Sequence, residues 1–119
     1  MKYKNTPTVI DGITFDSKAE AERYQELTIM EKTGIISDLV LQPVFCLQES
    51  FKKNGKHYRA ISYVADFQYK DSDGIKVVED IKGMTTKVFL LKRKLFEAKY
   101  PELELNVIKR VRDGWKNIG

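Results

Sequence analysis

From Ser17 to about Thr33, apolar or semi-apolar residues fall at Ala21, Tyr24, Leu27 and Ile29 to Met30. That spacing predicts an amphipathic first helix, and Gly34 stands where a helix end favours glycine. Ser17 followed by Glu20 has the interval of a capping box, in which each side chain satisfies an orphan amide of the helix start. The period then changes. A run rich in Val, Leu and Phe from Leu39 to about Leu47 predicts one strand, and a second β-like run extends from about Tyr58 to Tyr69. Lys52-Lys-Asn-Gly-Lys56 lies between them as a loop. Asp71-Ser-Asp-Gly74 reads as a tight turn, after which Ile75 to Ile81 returns as a third, antiparallel strand. Beyond Gly83 the helical spacing resumes with Val88, Leu91, Leu95 and Phe96, capped by Thr85 or Thr86 and ended by Pro101. A last strand, about Leu103 to Ile108, precedes a basic tail at 109–119, so the predicted order is helix, three strands, helix, strand.

The length of 119 residues suits one domain with one hydrophobic core. With 42% hydrophobic and 32% charged residues, the chain is far from the composition of a disordered protein. The 21 Lys and Arg outnumber the 17 Asp and Glu, a formal net charge of +4 that permits contact with phosphates without requiring it. A single cysteine, Cys46, excludes an intramolecular disulfide and a cysteine zinc site; flanked by Val44, Phe45 and Leu47, it reads as core filling. His57, the one histidine, sits in a polar stretch and reads as a surface residue, which leaves neither a multi-histidine metal site nor a Cys/His dyad. No apolar run of about 18 residues is present for a membrane span, and the polar start Met1-Lys-Tyr-Lys-Asn5 lacks the apolar stretch of a signal peptide. A cytoplasmic protein with no membrane partner is expected.

The chemistry concentrates in Tyr63-Val-Ala-Asp66 and Val77-Val-Glu-Asp80-Ile-Lys82-Gly83. Alternation puts Asp80 and Lys82 on one face of the third strand and Glu79 and Ile81 on the other. A three-residue loop Ser72-Asp73-Gly74 places Asp66 opposite Asp80, where two carboxylates roughly 5 Å apart repel unless a positive charge lies between them. A two-residue loop would pair Asp66 with Glu79 and turn Lys82 away, and a β-bulge would also upset the register. A divalent cation resolves the conflict. Carboxylate oxygens suit Mg²⁺, for which Mn²⁺ is expected to substitute, and phosphodiester hydrolysis is the natural reaction of such a site with Lys82 beside the attacking water.

Asp66, thirteen intervening residues and Asp80-Ile-Lys82, in this context of strand, turn and helix, resemble the PD-(D/E)XK nuclease superfamily. The resemblance implies an α/β fold with an αβββαβ restriction-endonuclease-like core, a central mixed sheet flanked by two helices, over about residues 13 to 108. It implies that Asp66 and Asp80 are metal ligands, that the Ile81 carbonyl contributes, that Lys82 acts at the attacking water, and that Glu20 supplies the additional acidic group many members carry on the first helix. Val64-Ala65 precedes Asp66 where the name-giving motif has proline, a position that varies in the superfamily. Ser17-Lys-Ala-Glu20, Leu41-Gln-Pro43, Val78-Glu-Asp-Ile-Lys-Gly83 and Leu91-Lys-Arg-Lys-Leu95 are also similar to small phage-encoded proteins presumed to be endonucleases, themselves similar to Holliday-junction resolvases. The activity so implied is cleavage of DNA, with branched recombination or replication intermediates as a candidate substrate and the host cytoplasm as its place.

Each residue also has a plainer use. The capping box explains Glu20 without catalysis, and both uses are compatible. Asp66 reads as a solvated strand carboxylate, against which stands its place between Ala65 and Phe67, where an unpaired charge is costly. Asp80 and Lys82 read as a salt pair, Glu79 is the reserve ligand should the register slip, and Gln42 is placed to approach the site from the first strand. Lys87, Lys92, Arg93, Lys94 and Lys99 make the second helix basic, and Lys109, Arg110 and Arg112 follow the last strand; Lys87, Lys92 and Lys94 are the expected DNA phosphate contacts. Trp115 and the tyrosines suit core packing better than base stacking. The alternative to a nuclease is a non-catalytic DNA-binding module or an accessory subunit of a DNA-processing complex. Symmetric cuts in two strands would require a homodimer.

Overall fold

A computed structural model of the chain describes residues 6–119, so the polar start at Met1 to Asn5 lies outside the described residues. The first helix, α1 (Lys18–Lys32), begins where its cap predicts: the Ser17 side chain accepts a hydrogen bond from the Glu20 amide, and Gly34 takes φ +81° just past the end. Ala21 and Leu27 are buried and Tyr24 and Met30 pack beside them, whereas Ile29 falls off the stripe and is 62% exposed. The second helix, α2 (Lys87–Lys99), is capped by Thr86, whose side chain accepts from the Phe89 amide, and its inward face is Phe89 and Phe96 rather than Val88 and Leu91, which are exposed.

Between the helices lies a five-stranded mixed sheet. Its members are β3 (Ser37–Leu41), β8 (Phe67–Lys70), β9 (Lys76–Ile81), β10 (Glu104–Val111) and β11 (Gly114–Asn117), in the spatial order β11-β10-β9-β8-β3. β8 runs antiparallel to β9 through the Asp71–Gly74 turn, in which the Asp71 side chain accepts from the Asp73 and Ile75 amides and Gly74 takes φ +78°. β10 pairs parallel with β9, and α2 lies on the crossover that a parallel connection requires. Val77 and Ile81 join the cluster of Ala21 and Leu27, whereas Val78 joins Phe89, Phe96, Leu105 and Val107. Each helix therefore covers one face of the sheet.

Five features depart from the sequence pattern. β1 (Thr8–Ile10) and β2 (Ile13–Phe15) form a hairpin on Asp11-Gly12, both at positive φ, packed against α1 through Phe15 and Tyr24. The predicted strand Leu39–Leu47 is broken at Gln42-Pro43: Pro43 offers no amide to a ladder, Gln42 takes φ +51°, and the chain restarts as β4 (Val44–Gln48). The predicted run Tyr58–Tyr69 divides likewise, into β6 (Lys56–Tyr58), β7 (Ile61–Val64) and β8, while the expected loop at 52–56 is a hairpin joining β5 (Phe51–Lys53) to β6. The basic tail is not a tail, because β10 continues through Val111 and turns at Gly114 into β11.

Phe96 is fully buried and packs edge-on against Phe45 at a ring separation of 5.0 Å. Phe96→Ala is expected to cost about 3–5 kcal/mol of unfolding free energy, read from the urea midpoint at unchanged m-value. A loss below about 1 kcal/mol would contradict a core built on this helix face.

Candidate active site

The β8–β9 ladder pairs Phe67 with Glu79 and Gln68 with Val78, which is the register of the three-residue loop. It stops one pair short of the acids. Asp66 lies in a bend whose amide donates to the Glu79 carbonyl at 3.1 Å, while its own carbonyl accepts from the Gln42 amide at 2.9 Å. Past the ladder, the Asp66 side chain takes over the acceptor role on β9, its Oδ2 accepting from the Ile81 amide at 2.7 Å. That bond holds Asp66 beside the end of β9, where Asp80 reaches the same space.

Asp80 is 3% exposed. Its Oδ2 accepts from the Tyr63 hydroxyl at 2.5 Å and lies 3.5 Å from the Lys82 ammonium, which rests 4.6 Å from the centre of the Phe89 ring. Burial is the largest influence on Asp66, followed by the Asp80 charge and a side-chain hydrogen bond between the two carboxyl groups; together they push the Asp66 acid up to about 9. Burial and the facing Asp80 charge thus favour the protonated form of the Asp66 carboxyl group. Tyr63 in turn is held firmly protonated by its own burial and by the charge of Asp80.

Glu20 sits half-buried at the start of α1. Its carboxylate accepts from the Ser17 hydroxyl at 3.4 Å, so the capping box is satisfied through Ser17 while Glu20 bonds that hydroxyl in place of the Ser17 amide. Burial raises the Glu20 acid, with the nearby charges of Asp16 and Asp80 adding to it and hydrogen bonds from Ser17 and the Asp16 backbone opposing. Glu20 lines two clefts. One, of about 410 Å³, also has Asp16, Lys82, Thr86, Lys109 and Arg110 on its walls; the other, of about 170 Å³, has Gln42 and Asp66.

The predicted grouping of Asp66, Asp80, Lys82 and Glu20 is thus brought together, with Ile81 beside them and Gln42 on the smaller cleft. Among the described residues, however, no three His, Cys, Asp or Glu side chains converge closely enough to hold a metal ion by themselves. Glu79 points to the other face, where the Arg23 guanidinium donates to it at 2.8 and 2.7 Å and Tyr69 donates as well, so it is not a reserve ligand. Lys87, Lys92 and Lys94 line neither cleft: Lys87 and Lys94 lie on the outer side of α2 and Lys92 flanks the buried stripe. The cations at the larger cleft are Lys82, Lys109 and Arg110, and Arg110 is already tied to Glu22 at 2.8 Å. Tyr63 is the residue missed from the sequence. Its parity with Ala65 marked it as inward-facing, but nothing in the pattern distinguished its hydroxyl from those of other core tyrosines.

A family model described as "Protein of unknown function (DUF1064)" matches residues 1–113. No curated protein matches the chain.

The raised Asp66 acid fixes a sign. The folded protein binds this proton more tightly than the unfolded chain at any pH between about 4 and 9, so metal-free stability falls as pH rises through that window. Asp66→Asn is expected to flatten the fall of Tm between about pH 5 and pH 8 and to raise Tm at the upper end, measured by calorimetry in chelator. An unchanged slope would show that Asp66 carries no such proton. On the other face, Arg23→Leu strands the buried Glu79 charge and is expected to cost about 3–5 kcal/mol in urea unfolding, most of it recovered in Arg23→Leu/Glu79→Gln. A double variant no more stable than the single one would mean that Arg23 acts by packing alone.

Proposed function

The chain belongs to the DUF1064 family, and for this member we propose the activity of a Mg²⁺-dependent DNA endonuclease, the activity that the Asp66 and Asp80-Ile-Lys82 pattern suggests by its resemblance to the PD-(D/E)XK nucleases. The observation that carries the reading is the packing of the Asp66 and Asp80 carboxyl groups against each other beside the Lys82 ammonium, at the edge of clefts shared with Glu20. Two acids so placed conflict unless a proton or a cation joins them, and a pair of hard oxygen donors is what Mg²⁺ uses, since it binds through one or two carboxylates and keeps several waters. Asp66 and Asp80 would hold the ion, with the Ile81 carbonyl and Glu20 as further oxygen donors.

When bound, such an ion supplies positive charge that stabilises the charge developing on a phosphate. The protein's own groups do the rest. Asp66 gives up its proton to bind, which its neighbours Asp80 and Glu20 oppose until compensating charge arrives. The Tyr63 hydroxyl fixes the Asp80 carboxylate in orientation. Lys82, with three N–H donors, orients the attacking water and offsets charge on the phosphate oxygens. Lys109, on the larger cleft, is placed to hold a neighbouring backbone phosphate.

One observation favours a second reading, a non-catalytic DNA-binding module. Asp66 and Asp80 are already satisfied by Ile81, Tyr63 and each other, and among the described residues no buried side-chain nitrogen or oxygen lacks a partner.

A panel of labelled duplex, nicked, flap and four-way DNAs separates the two. Mg²⁺ or Mn²⁺ is expected to support cleavage that chelator abolishes, with Asp66→Ala and Asp80→Ala each reducing it more than about 100-fold and Lys82→Ala by about 100- to 1,000-fold, while metal-free DNA affinity stays within a few-fold. Cleavage that survives loss of either acid would refute the nuclease, and DNA binding with no cleavage of any substrate would establish the module.

A further inference from the structure

The largest feature that the carboxylate site leaves unused is the hairpin of β5 and β6. Every residue from Gln48 to Ile61 is exposed, a projecting two-stranded arm. Its turn, Asn54-Gly55, has both residues at positive φ, the tight primed geometry that matches strand twist and gives the arm a defined shape. At its base the opposed Phe51 and Tyr58 rings stack 4.8 Å apart and 11° from parallel. Lys53 stands opposite Lys56, and Lys52 opposite His57; Arg59 follows, and from Phe51 to Ala60 there is no acid. Like charges directly opposed across a ribbon destabilise it, and among the described residues none of these cations has an ion-pair partner. The arm therefore carries an electrostatic cost that nothing else in the described chain offsets with an ion pair.

We infer that the β5–β6 arm is a grip for duplex DNA, inserted in the major groove beside the site of cleavage. Strand alternation puts Lys53 and Lys56 on one side of the ribbon and Lys52 and His57 on the other, so cations face both ways. A two-stranded antiparallel ribbon fits the major groove, roughly 12 Å wide, where each side of the ribbon meets the phosphates of one strand. An acidic protein surface would call for cations on one side only. Single-stranded DNA would call for open aromatic faces, whereas Phe51 and Tyr58 cover one another. From Gln48 to Asn54 the arm reaches roughly 20 Å, enough to pass a duplex backbone.

The arm is also joined to the strand pair that leads to the carboxylates, through the short connections Glu49–Ser50 and Arg59–Ala60. Its root is the β4–β7 pair, whose Phe45, Leu47 and Tyr63 pack with Phe89 and Phe96 of α2. Tyr63 on the returning strand donates to Asp80, and the same strand leads through Val64 and Ala65 directly to Asp66. Duplex held by the arm is thus held close to the site along the chain, which deepens the nuclease reading; the DNA grip itself does not depend on cleavage.

The test uses the whole chain in chelator, with fluorescence anisotropy of a labelled duplex against salt. Lys52→Ala/Lys53→Ala/Lys56→Ala is compared with Lys32→Ala/Lys76→Ala/Lys99→Ala, an equal change of charge at exposed sites elsewhere. Three lost phosphate contacts reduce the salt slope by about 2.7, so the wild type is expected to lose about 40-fold more affinity than the arm variant between about 50 and 200 mM salt. The control should follow the wild type, and replacement of the three lysines by arginine should preserve the slope. Equal slopes in the arm and control variants overturn the proposal whatever the cleavage assay shows. A single strand bound as tightly as the duplex, with the same arm dependence, overturns the groove assignment. Arm-dependent duplex binding without Mg²⁺-dependent cleavage upholds the arm and removes the nuclease.

Discussion

Two acids on neighbouring strands that end at the same edge of a sheet form the constraint on which the rest of this structure depends. Asp66 and Asp80 share one small space, and every element around them serves either to bring them there or to make the encounter tolerable. The Asp71–Gly74 turn sets the register, and the bend at Asp66 frees its carboxylate to accept from the Ile81 amide. The helix crossover places Phe89 under the Lys82 ammonium, and the β7 strand delivers the Tyr63 hydroxyl. Remove any of these and like charges are left in a poorly hydrated corner, a far more costly state than either group alone in water.

β9 carries two consecutive acids and resolves them in opposite ways. Glu79, turned toward α1, is buried and bonded by two N–H groups of the Arg23 guanidinium and by the Tyr69 hydroxyl, and it lines neither cleft. Asp80, one residue on, is held by the Tyr63 hydroxyl and the Lys82 ammonium beside a second acid, and the neighbouring Glu20, Lys82 and Asp66 open onto clefts. A buried charge with its partner built in stabilises a fold or sets its register. Buried acids packed against each other beside a cleft are the arrangement in which functional sites perturb their ionisable groups, although structural networks do so too.

Much of the framework was legible in the chain because its signals are local and strong. Ser17 and Gly34 bracket α1, Thr86 begins α2, and Asp71 to Gly74 determines which acids meet. Strands of three or four residues were not legible, since they are too short to show alternation. Asp11-Gly12 and Asn54-Gly55 were nonetheless hairpin turns in plain view, and reading the second as loop hid the basic arm. Pro43 divided a run whose composition read as continuous strand. The cations lining the larger cleft were not legible for a geometric reason: charge on α2 could be counted from sequence, but the Phe89 and Phe96 face leaves Lys87 and Lys94 outside the cleft, while Lys109 and Arg110 arrive from a strand that continues past its expected end. Tyr63 was hidden because hydrogen bonding inside a core leaves no periodic trace.

The central claim, that Asp66 gives up a proton when the Asp66–Asp80 pair takes a divalent cation, is tested most directly by calorimetric titration of the metal-free protein with Mg²⁺ and Mn²⁺ near neutral pH. Titrations in two buffers of different ionisation enthalpy separate metal binding from proton release. The account predicts one bound ion per chain with release of about one proton, lost in Asp66→Asn. Absence of binding, or binding that releases no proton and survives that substitution, would contradict it.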